Sequence, residues 1–224
     1  DFRLLHQIIP DLKTRFTPTT YKDWYQTYKQ KKRISEAITE PYYFDGAHQR
    51  LIRRSQLLTT SIPPLVISID DVGTSWIRRE HLQIIEDLRE ANMPSVIGLQ
   101  PNLKPNEGGK YWELIRQLHS EGWEIASHTI NHYNLSELSL NKLRSEFAES
   151  SQRIEDGVGE APVTLIVPFG DIYPGDQYQE TDKRIFDAAK EAGYTFVVGI
   201  GGGRQIEGEP PYYFGRTVPD ISAQ

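Results

Sequence analysis

The sequence predicts an α/β fold in which short strands alternate with helices. From Leu65 to Gly199, short apolar runs alternate with longer segments of helical periodicity. Repeated strand–helix units imply parallel strands joined by right-handed crossovers, so the sheet is expected to be a barrel or a doubly wound sheet. At 224 residues the chain is long enough for one such domain with a full core.

Each predicted element rests on its own local pattern. The first strand is the apolar run that begins after Pro63-Pro64, and Gly73 ends the segment that follows it. The other strands are apolar runs of similar length, and the helices carry apolar residues at intervals of three and four. The strands are predicted at 65–69, 95–99, 123–127, 163–167 and 194–199. The helices are predicted at 79–92, 110–121, 139–156 and 182–192.

Residues 1–61 show no convincing strand pattern and are predicted to form a mainly helical N-terminal extension to a domain at 62–224. One aromatic stripe stands out in the extension, with residues at i, i+3, i+4 and i+7 of a helix. Its members are Tyr21, Trp24, Tyr25 and Tyr28. Aromatic rings dominate the burial of apolar surface in cores, so a packing face is favoured over a sugar-stacking platform.

Composition excludes several classes of protein. The net charge of −6 argues against a nucleic-acid-binding surface. The absence of cysteine excludes a disulfide framework and a thiolate metal site. No apolar stretch approaches the roughly 20 residues that span a bilayer, and no signal-peptide pattern opens the chain. The sequence makes no prediction about the oligomeric state.

Two short segments carry residues that could bind a catalytic metal ion. Asp70 and Asp71 follow the first strand, and His128 follows the run at 123–127, with His132 four residues later. If His128 and His132 lie in a helical turn, both rings face the same side. Successive side chains of an extended segment point in opposite directions, so one carboxylate can bind the ion while the other acts as a base. Two imidazoles and one carboxylate leave a coordination position open for water.

These segments resemble the motifs of the polysaccharide deacetylases with a NodB-homology domain, also called carbohydrate esterase family 4. Residues 68–73 resemble the motif T-F-D-D-G, with Val72 inserted before Gly73. Residues 128–132 match H-[ST]-x-x-H, and residues 166–170 are similar to R-x-P-Y-G. The resemblance covers about residues 62–220. It implies a distorted (β/α)7 barrel at residues 62–224, outside which the N-terminal extension lies.

The resemblance also implies roles for individual residues. Asp71, His128 and His132 would hold a divalent metal ion, for which zinc is expected. Asp70 would be the general base, and the backbone N–H of Phe169 would help to stabilise the oxyanion. Further residues are expected to contact the substrate: Pro168, Gly170, Asp171, Tyr173 and Arg216.

Two departures from the family pattern affect this assignment. Ile166 occupies the position of the arginine that orients the base carboxylate, and without a cation nearby a carboxylate ionises less readily. Arg216 is the candidate replacement, although its sequence context fits an ordinary surface or barrel-closing arginine equally well. No histidine follows His132, so the general acid of longer family members is missing. Either Asp70 returns its proton to the leaving group, or Asp171 or Tyr173 supplies one.

The expected activity is removal of N-acetyl groups from a polysaccharide of the N-acetylglucosamine type. The resemblance implies that the partner is an acetylated polysaccharide or oligosaccharide. It also implies that the protein is secreted or located in the cell envelope. Two alternatives remain open at this point. One is an esterase that acts on O-acetylated polysaccharide, whose better leaving group depends less on a general acid. The other is a catalytically silent domain that binds glycan or metal.

Overall fold

The computed structural model describes residues 2–36, 42–45, 50–53, 64–170, 172, 182–200, 204–205 and 210–216. The α-helices in this part of the chain are α1 (Phe2–Arg15), α2 (Tyr21–Glu36), α3 (Arg79–Glu90), α4 (Trp112–Ser120), α5 (Leu140–Val158) and α6 (Lys183–Glu191). The strands are β1 (Thr17–Pro18), β2 (Tyr42–Asp45), β3 (Arg50–Arg53), β4 (Pro64–Leu65), β5 (Ser68–Gly73), β6 (Val96–Gln100), β7 (Glu124–Ser127), β8 (Thr164–Ile166), β9 (Phe196–Ile200), β10 (Arg204–Gln205) and β11 (Tyr212–Arg216).

A seven-stranded sheet forms the centre of the fold, in the order β10-β11-β9-β8-β7-β6-β5. All its neighbouring strands are parallel except β10, which pairs antiparallel with β11. The predicted alternation of strands and helices with parallel pairing is therefore confirmed. The N-terminal part also contains strands that its sequence pattern did not predict. The antiparallel pair β2–β3 and the two-residue strand β1 are too short to give a clear periodicity.

The sheet curls strongly, because side chains from two distant strands meet. Five strand spacings of about 4.8 Å separate β11 from β5 in the sheet order, which would be about 24 Å in a flat sheet. Arg216 on β11 nevertheless places its Nη2 atom 2.7 Å from Oδ2 of Asp70 on β5. This ion pair crosses the interior of the curled sheet, as the predicted distorted barrel requires.

Helix α2 supplies part of the core inside the curled sheet. Tyr21 is 6% exposed and belongs to one buried cluster with side chains from β6, β7, β8 and β9. Trp24 and Tyr25 pack on aromatic rings of β9 and β11. The predicted packing role of the aromatic stripe is thus confirmed for these three residues, while the side chain of Tyr28 lies outside the described part.

The helices α3, α4, α5 and α6 follow the strands in alternation and bury their apolar faces against the sheet. Their bounds agree with the predicted ranges within two residues, because each helix has a clear apolar periodicity. None of the helices in the described ranges has the length and apolar character that crossing a membrane would require.

Candidate metal centre

Three side chains meet at the carboxyl ends of β5 and β7. The Nε2 atom of His132 lies 3.0 Å from Oδ1 of Asp71, and Nε2 of His128 lies 3.6 Å from the same oxygen. One ligand atom from each of the three residues can be chosen so that all lie within 4.8 Å of one another. Two imidazoles and one carboxylate match the donor set of an open catalytic zinc site, so these residues fit a divalent ion.

An irregularity in β5 brings both aspartates to this site. The register of β5 against β6 shifts between Ile69 and Val72, and Asp71 has a φ of 57°. A bulge re-aims a side chain that regular alternation would send to the other face. Both aspartates therefore lie within the strand, and not beyond its end as the predicted range 65–69 implied. The amide of Gln100 holds Asp71, with Nε2 3.0 Å from Oδ1.

The two histidines do not lie in a helical turn, so that expectation was wrong. The segment after β7 is a bend in which Thr129 and His132 have φ values of 60° and 55°. Both values lie in the left-handed region, which is unusual for a β-branched residue such as Thr129. The rings still approach each other, with centroids 4.9 Å apart. Backbone strain of this kind persists only where surrounding contacts fix it.

Glu146 on α5 supplies many of those contacts. Its carboxylate is buried and accepts hydrogen bonds from the backbone N–H groups of Ile130 and Asn131, at 3.3 and 3.2 Å. The side-chain amide of Asn131 also donates to it, at 2.5 Å, and Lys142 pairs with it at 3.2 Å. A single glutamate within a helix pattern gives no signal of such a role, so Glu146 could not be identified from the sequence.

The surroundings favour the neutral form of His132, which is the form that binds metal. The Nδ1 atom of His128 is 2.8 Å from the carbonyl oxygen of Ile166. A carbonyl can only accept, so this contact assigns the proton to Nδ1 and leaves Nε2 facing Asp71. Burial and the charge of His128 lower the pKa of His132. The nearby His128 ring, aided by His132 and Arg78, lowers the pKa of Asp71 to about 2 against the opposing effect of burial.

Asp70 is not part of the three-residue cluster and is held by Arg216. The Nη1 atom of Arg216 lies 2.8 Å from Oδ1 of Asp70, and Nη2 lies 2.7 Å from Oδ2. The same Nη1 donates to the hydroxyl of Ser68 at 2.6 Å. Burial opposes charge on Arg216, but its hydrogen bond with Asp70 and the charge of that carboxylate raise its pKa. The two residues form a bidentate charge-assisted pair, a geometry that fixes the orientation of a carboxylate.

Gly98 on β6 leaves the space that Asp70 occupies. A Cβ atom at this position would lie 3.0 Å from Oδ1 of Asp70 and 3.1 Å from its Cα atom. Gly98→Ala should therefore displace the carboxylate. If Asp70 is the base expected from the sequence, kcat for acetate release should fall on the order of tenfold, because small misplacements of a reacting group are costly. Steady-state kinetics with metal analysis tests this. Val96→Ala, a core change on the same strand, should lower stability but keep kcat, and equal kcat losses in the two variants would contradict the prediction.

The remaining predicted site residues follow β8. Phe169 has a φ of 59° and is 63% exposed, and its ring centroid lies 4.7 Å from that of His132. Pro168 and Gly170 flank it and are buried. Gly170 has a φ of 68°, and a Cβ there would lie 2.3 Å from Ile200, so only glycine fits. The predicted residues Asp171 and Tyr173 lie outside the described ranges.

Comparison with known families gives one match over most of the sheet. The family model described as polysaccharide deacetylase matches residues 59–197, which is more than half of the chain. The chain belongs to the polysaccharide deacetylase family. The match confirms the resemblance inferred from the motifs.

Among curated relatives of this family member is a peptidoglycan-N-acetylglucosamine deacetylase from Bacillus cereus. It is 34% identical over 85 residues, which make up 38% of this chain and 35% of the relative. The matched part thus spans about a third of that relative's length.

Solved structures share the fold of this family member at low sequence identity. A de-N-acetylase from Aggregatibacter actinomycetemcomitans aligns with a TM-score of 0.61 at 19% identity, covering 100% of this chain and 86% of the other. The structure of IcaB from Ammonifex degensii aligns with a TM-score of 0.63 at 14% identity, covering 99% of this chain and 85% of the other. Both alignments extend over the N-terminal part as well as the sheet.

Proposed function

We propose that this protein is a metal-dependent hydrolase that removes N-acetyl groups from a polysaccharide of the N-acetylglucosamine type. The observation that carries the proposal is the pairing of a metal-ligand set with a separately held carboxylate. Asp71, His128 and His132 lie together, and Asp70 beside them is fixed by Arg216. The curated relative named as a peptidoglycan-N-acetylglucosamine deacetylase and the neighbour described as a de-N-acetylase support the choice of an N-acetyl substrate.

The metal would be held by Asp71, His128 and His132, and zinc is proposed because the donor set is two imidazoles and a carboxylate. A divalent ion supplies a Lewis acid that polarises the acetyl carbonyl and makes water more acidic. Asp70 takes a proton from the attacking water, while its bidentate contact with Arg216 keeps the carboxylate oriented. The N–H of Phe169 donates to the oxyanion that forms as the carbonyl is attacked.

The leaving amine must gain a proton when the carbon–nitrogen bond breaks. Asp70 can return the proton that it took from water, which balances the reaction without a second acid: water adds across the amide to give acetate and the free amine. Asp171 and Tyr173 remain proposed alternative donors. The same reasoning keeps an O-acetyl esterase as a second candidate, favoured by the absence of any histidine after His132.

A catalytically silent domain receives less support than it did from the sequence. Its argument rested partly on the missing arginine of the third motif, and Arg216 now provides a cation 2.7 Å from Asp70.

The decisive experiment measures acetate release from N-acetylglucosamine oligosaccharides and from matched O-acetylated oligosaccharides, with the zinc-loaded protein. Release from the amide supports the proposal, and release from the ester alone favours the esterase. A zinc-loaded protein that hydrolyses neither would contradict both.

Exposed apolar side chains around the site support a glycan as the substrate. Among the described residues, the exposed large hydrophobic side chains are Trp76, Leu82, Tyr133, Phe169 and Ile200. All except Leu82 lie at or after the carboxyl end of a strand, and Phe169 packs on the ring of His132. Sugar rings present apolar C–H faces, and exposed apolar patches of this kind mark binding grooves.

Trp76→Ala should therefore weaken substrate binding more than it affects the chemistry. We expect KM for a chitooligosaccharide to rise about fivefold to tenfold, with kcat within about twofold, since burial of an aromatic ring against a ligand contributes roughly 1–2 kcal/mol. Leu82→Ala is a matched control, because Leu82 is 37% exposed and Trp76 is 38% exposed. A rise in KM that is equal in both variants would show that Trp76 has no special contact with the glycan.

A further inference from the structure

Helix α2 packs directly on the strand that carries Arg216. The ring centroids of Tyr21 and Phe214 are 5.5 Å apart, and those of Trp24 and Phe214 are 5.3 Å apart. Phe214 lies two residues before Arg216 on β11, so both side chains project from the same face of the strand. The aromatic side chains of α2 thus pack on the same inner face that presents Arg216 to Asp70.

The N-terminal end of α2 is anchored at the opposite end of the sheet interior. The backbone N–H of Lys22 donates to Oε2 of Glu124 on β7 at 2.9 Å. Glu124 is 7% exposed and also accepts a hydrogen bond from the hydroxyl of Thr164 on β8. A carboxylate at a helix N-terminus satisfies N–H groups that have no partner within the helix. Glu124 therefore fixes where Tyr21, the residue before Lys22, enters the interior.

Among the described residues, the strand that carries Arg216 has only a short neighbour on one side, so packing from other elements supports it. Strand β11 pairs fully with β9, whereas β10 on its other side has two residues. The side chain of Arg216 is 16% exposed, and its buried Nε has no hydrogen-bond partner within the described ranges. The guanidinium is therefore held by Asp70, by Ser68 and by the packing of the side chains around it.

We propose that Tyr21 is a positioning residue for the base: its ring packs within the curled sheet and, through Phe214 and β11, keeps Arg216 in the orientation that holds Asp70. The inference rests on the proposed function, in which Asp70 is the base. It makes α2 a structural part of the active site, although the sequence pattern placed this helix in an extension outside the catalytic domain. The electrostatics of Tyr21 agree with this placement. Burial raises the pKa of Tyr21, and the charge of Arg216 nearby opposes that rise.

The test compares three variants of the zinc-loaded protein. Tyr21→Ala should lower kcat for N-acetylglucosamine oligosaccharides about tenfold, with KM within about twofold and zinc content unchanged. Tyr21→Phe keeps the ring and should restore kcat to within about twofold of the wild type. Ile9→Ala is the control, because Ile9 is buried on α1 in a different core cluster. It should lower the Tm while leaving kcat per folded molecule unchanged.

A double-mutant cycle supplies a readout that does not require activity. Tyr21→Ala changes the equilibrium constant for unfolding, and this change is measured in the wild type and in an Arg216→Ala background. The fold-change should be at least about threefold smaller in the Arg216→Ala background, because the effects of coupled residues are not additive. Ile9→Ala should have the same effect in both backgrounds. Additive effects for Tyr21, or a kcat loss no greater than that of Ile9→Ala, would overturn the inference. A wild type that releases no acetate would instead overturn the proposed function, and the unfolding cycle would still decide whether Tyr21 holds Arg216.

Discussion

His128→Ala should prevent binding of the proposed metal and abolish nearly all of the proposed hydrolysis. His128 is 2% exposed, and its Nδ1–H is fixed by the carbonyl of Ile166, so its Nε2 is oriented before any ion binds. Its loss leaves only Asp71 and His132 of the proposed set. We expect zinc to fall below about a tenth of stoichiometric and the rate to fall on the order of a thousandfold, because a Lewis acid contributes several kcal/mol to such a reaction. Elemental analysis and acetate release measure both.

His119→Ala is the matched control for this prediction. His119 lies on α4, its Nε2 is 3.6 Å from Glu160, and it is not part of the three-residue cluster. This variant should keep its zinc and its activity. Zinc retained in both variants would contradict the assignment of His128 as a ligand, whereas loss of zinc from both would indicate a general effect on folding.

The proposed ligands and the proposed base could be predicted from the sequence because their signals are local. Asp70, Asp71 and His128 each adjoin an apolar run that becomes a parallel strand, and the carboxyl ends of parallel strands meet at one edge of a sheet. Their conformations could not be found in the same way. The left-handed φ values at Asp71, Thr129 and His132 lie in segments that Gln100 on β6 and Glu146 on α5 contact. No short window of sequence contains these contacts.

The supporting residues lie too far away in the sequence to be assigned by pattern. Arg216 is 146 residues from Asp70. From the sequence it is a candidate partner of Asp70, but nothing there distinguishes it from an ordinary surface or barrel-closing arginine. The curling of the sheet brings the two together, and that curvature is a property of the whole fold. The role of α2 was hidden for a similar reason. The spacing of Tyr21 and Tyr25 predicts a packing face, but it does not say that this face packs inside the sheet beside Arg216.

Asp70→Asn should lower kcat about 100-fold to 10,000-fold while leaving the metal in place. The amide has nearly the same size as the carboxylate, but it cannot accept a proton from water, and a positioned base contributes a factor of this order. The change also alters the contact with Arg216. Both carboxylate oxygens accept from its guanidinium, whereas an amide offers one acceptor and one donor. Kinetics of acetate release together with zinc analysis tests the prediction.

The zinc content separates the two roles that an aspartate could have at this site. If Asp70 is the base, Asp70→Asn loses activity and keeps zinc, whereas Asp71→Asn loses both. Asp87→Asn serves as the control, because Asp87 is a buried carboxylate on α3 that accepts a hydrogen bond from Gln83 at 2.9 Å. It should keep both properties. Loss of zinc from Asp70→Asn would make Asp70 a ligand and not a base, and the contact with Arg216 would then have to be explained by barrel closure alone.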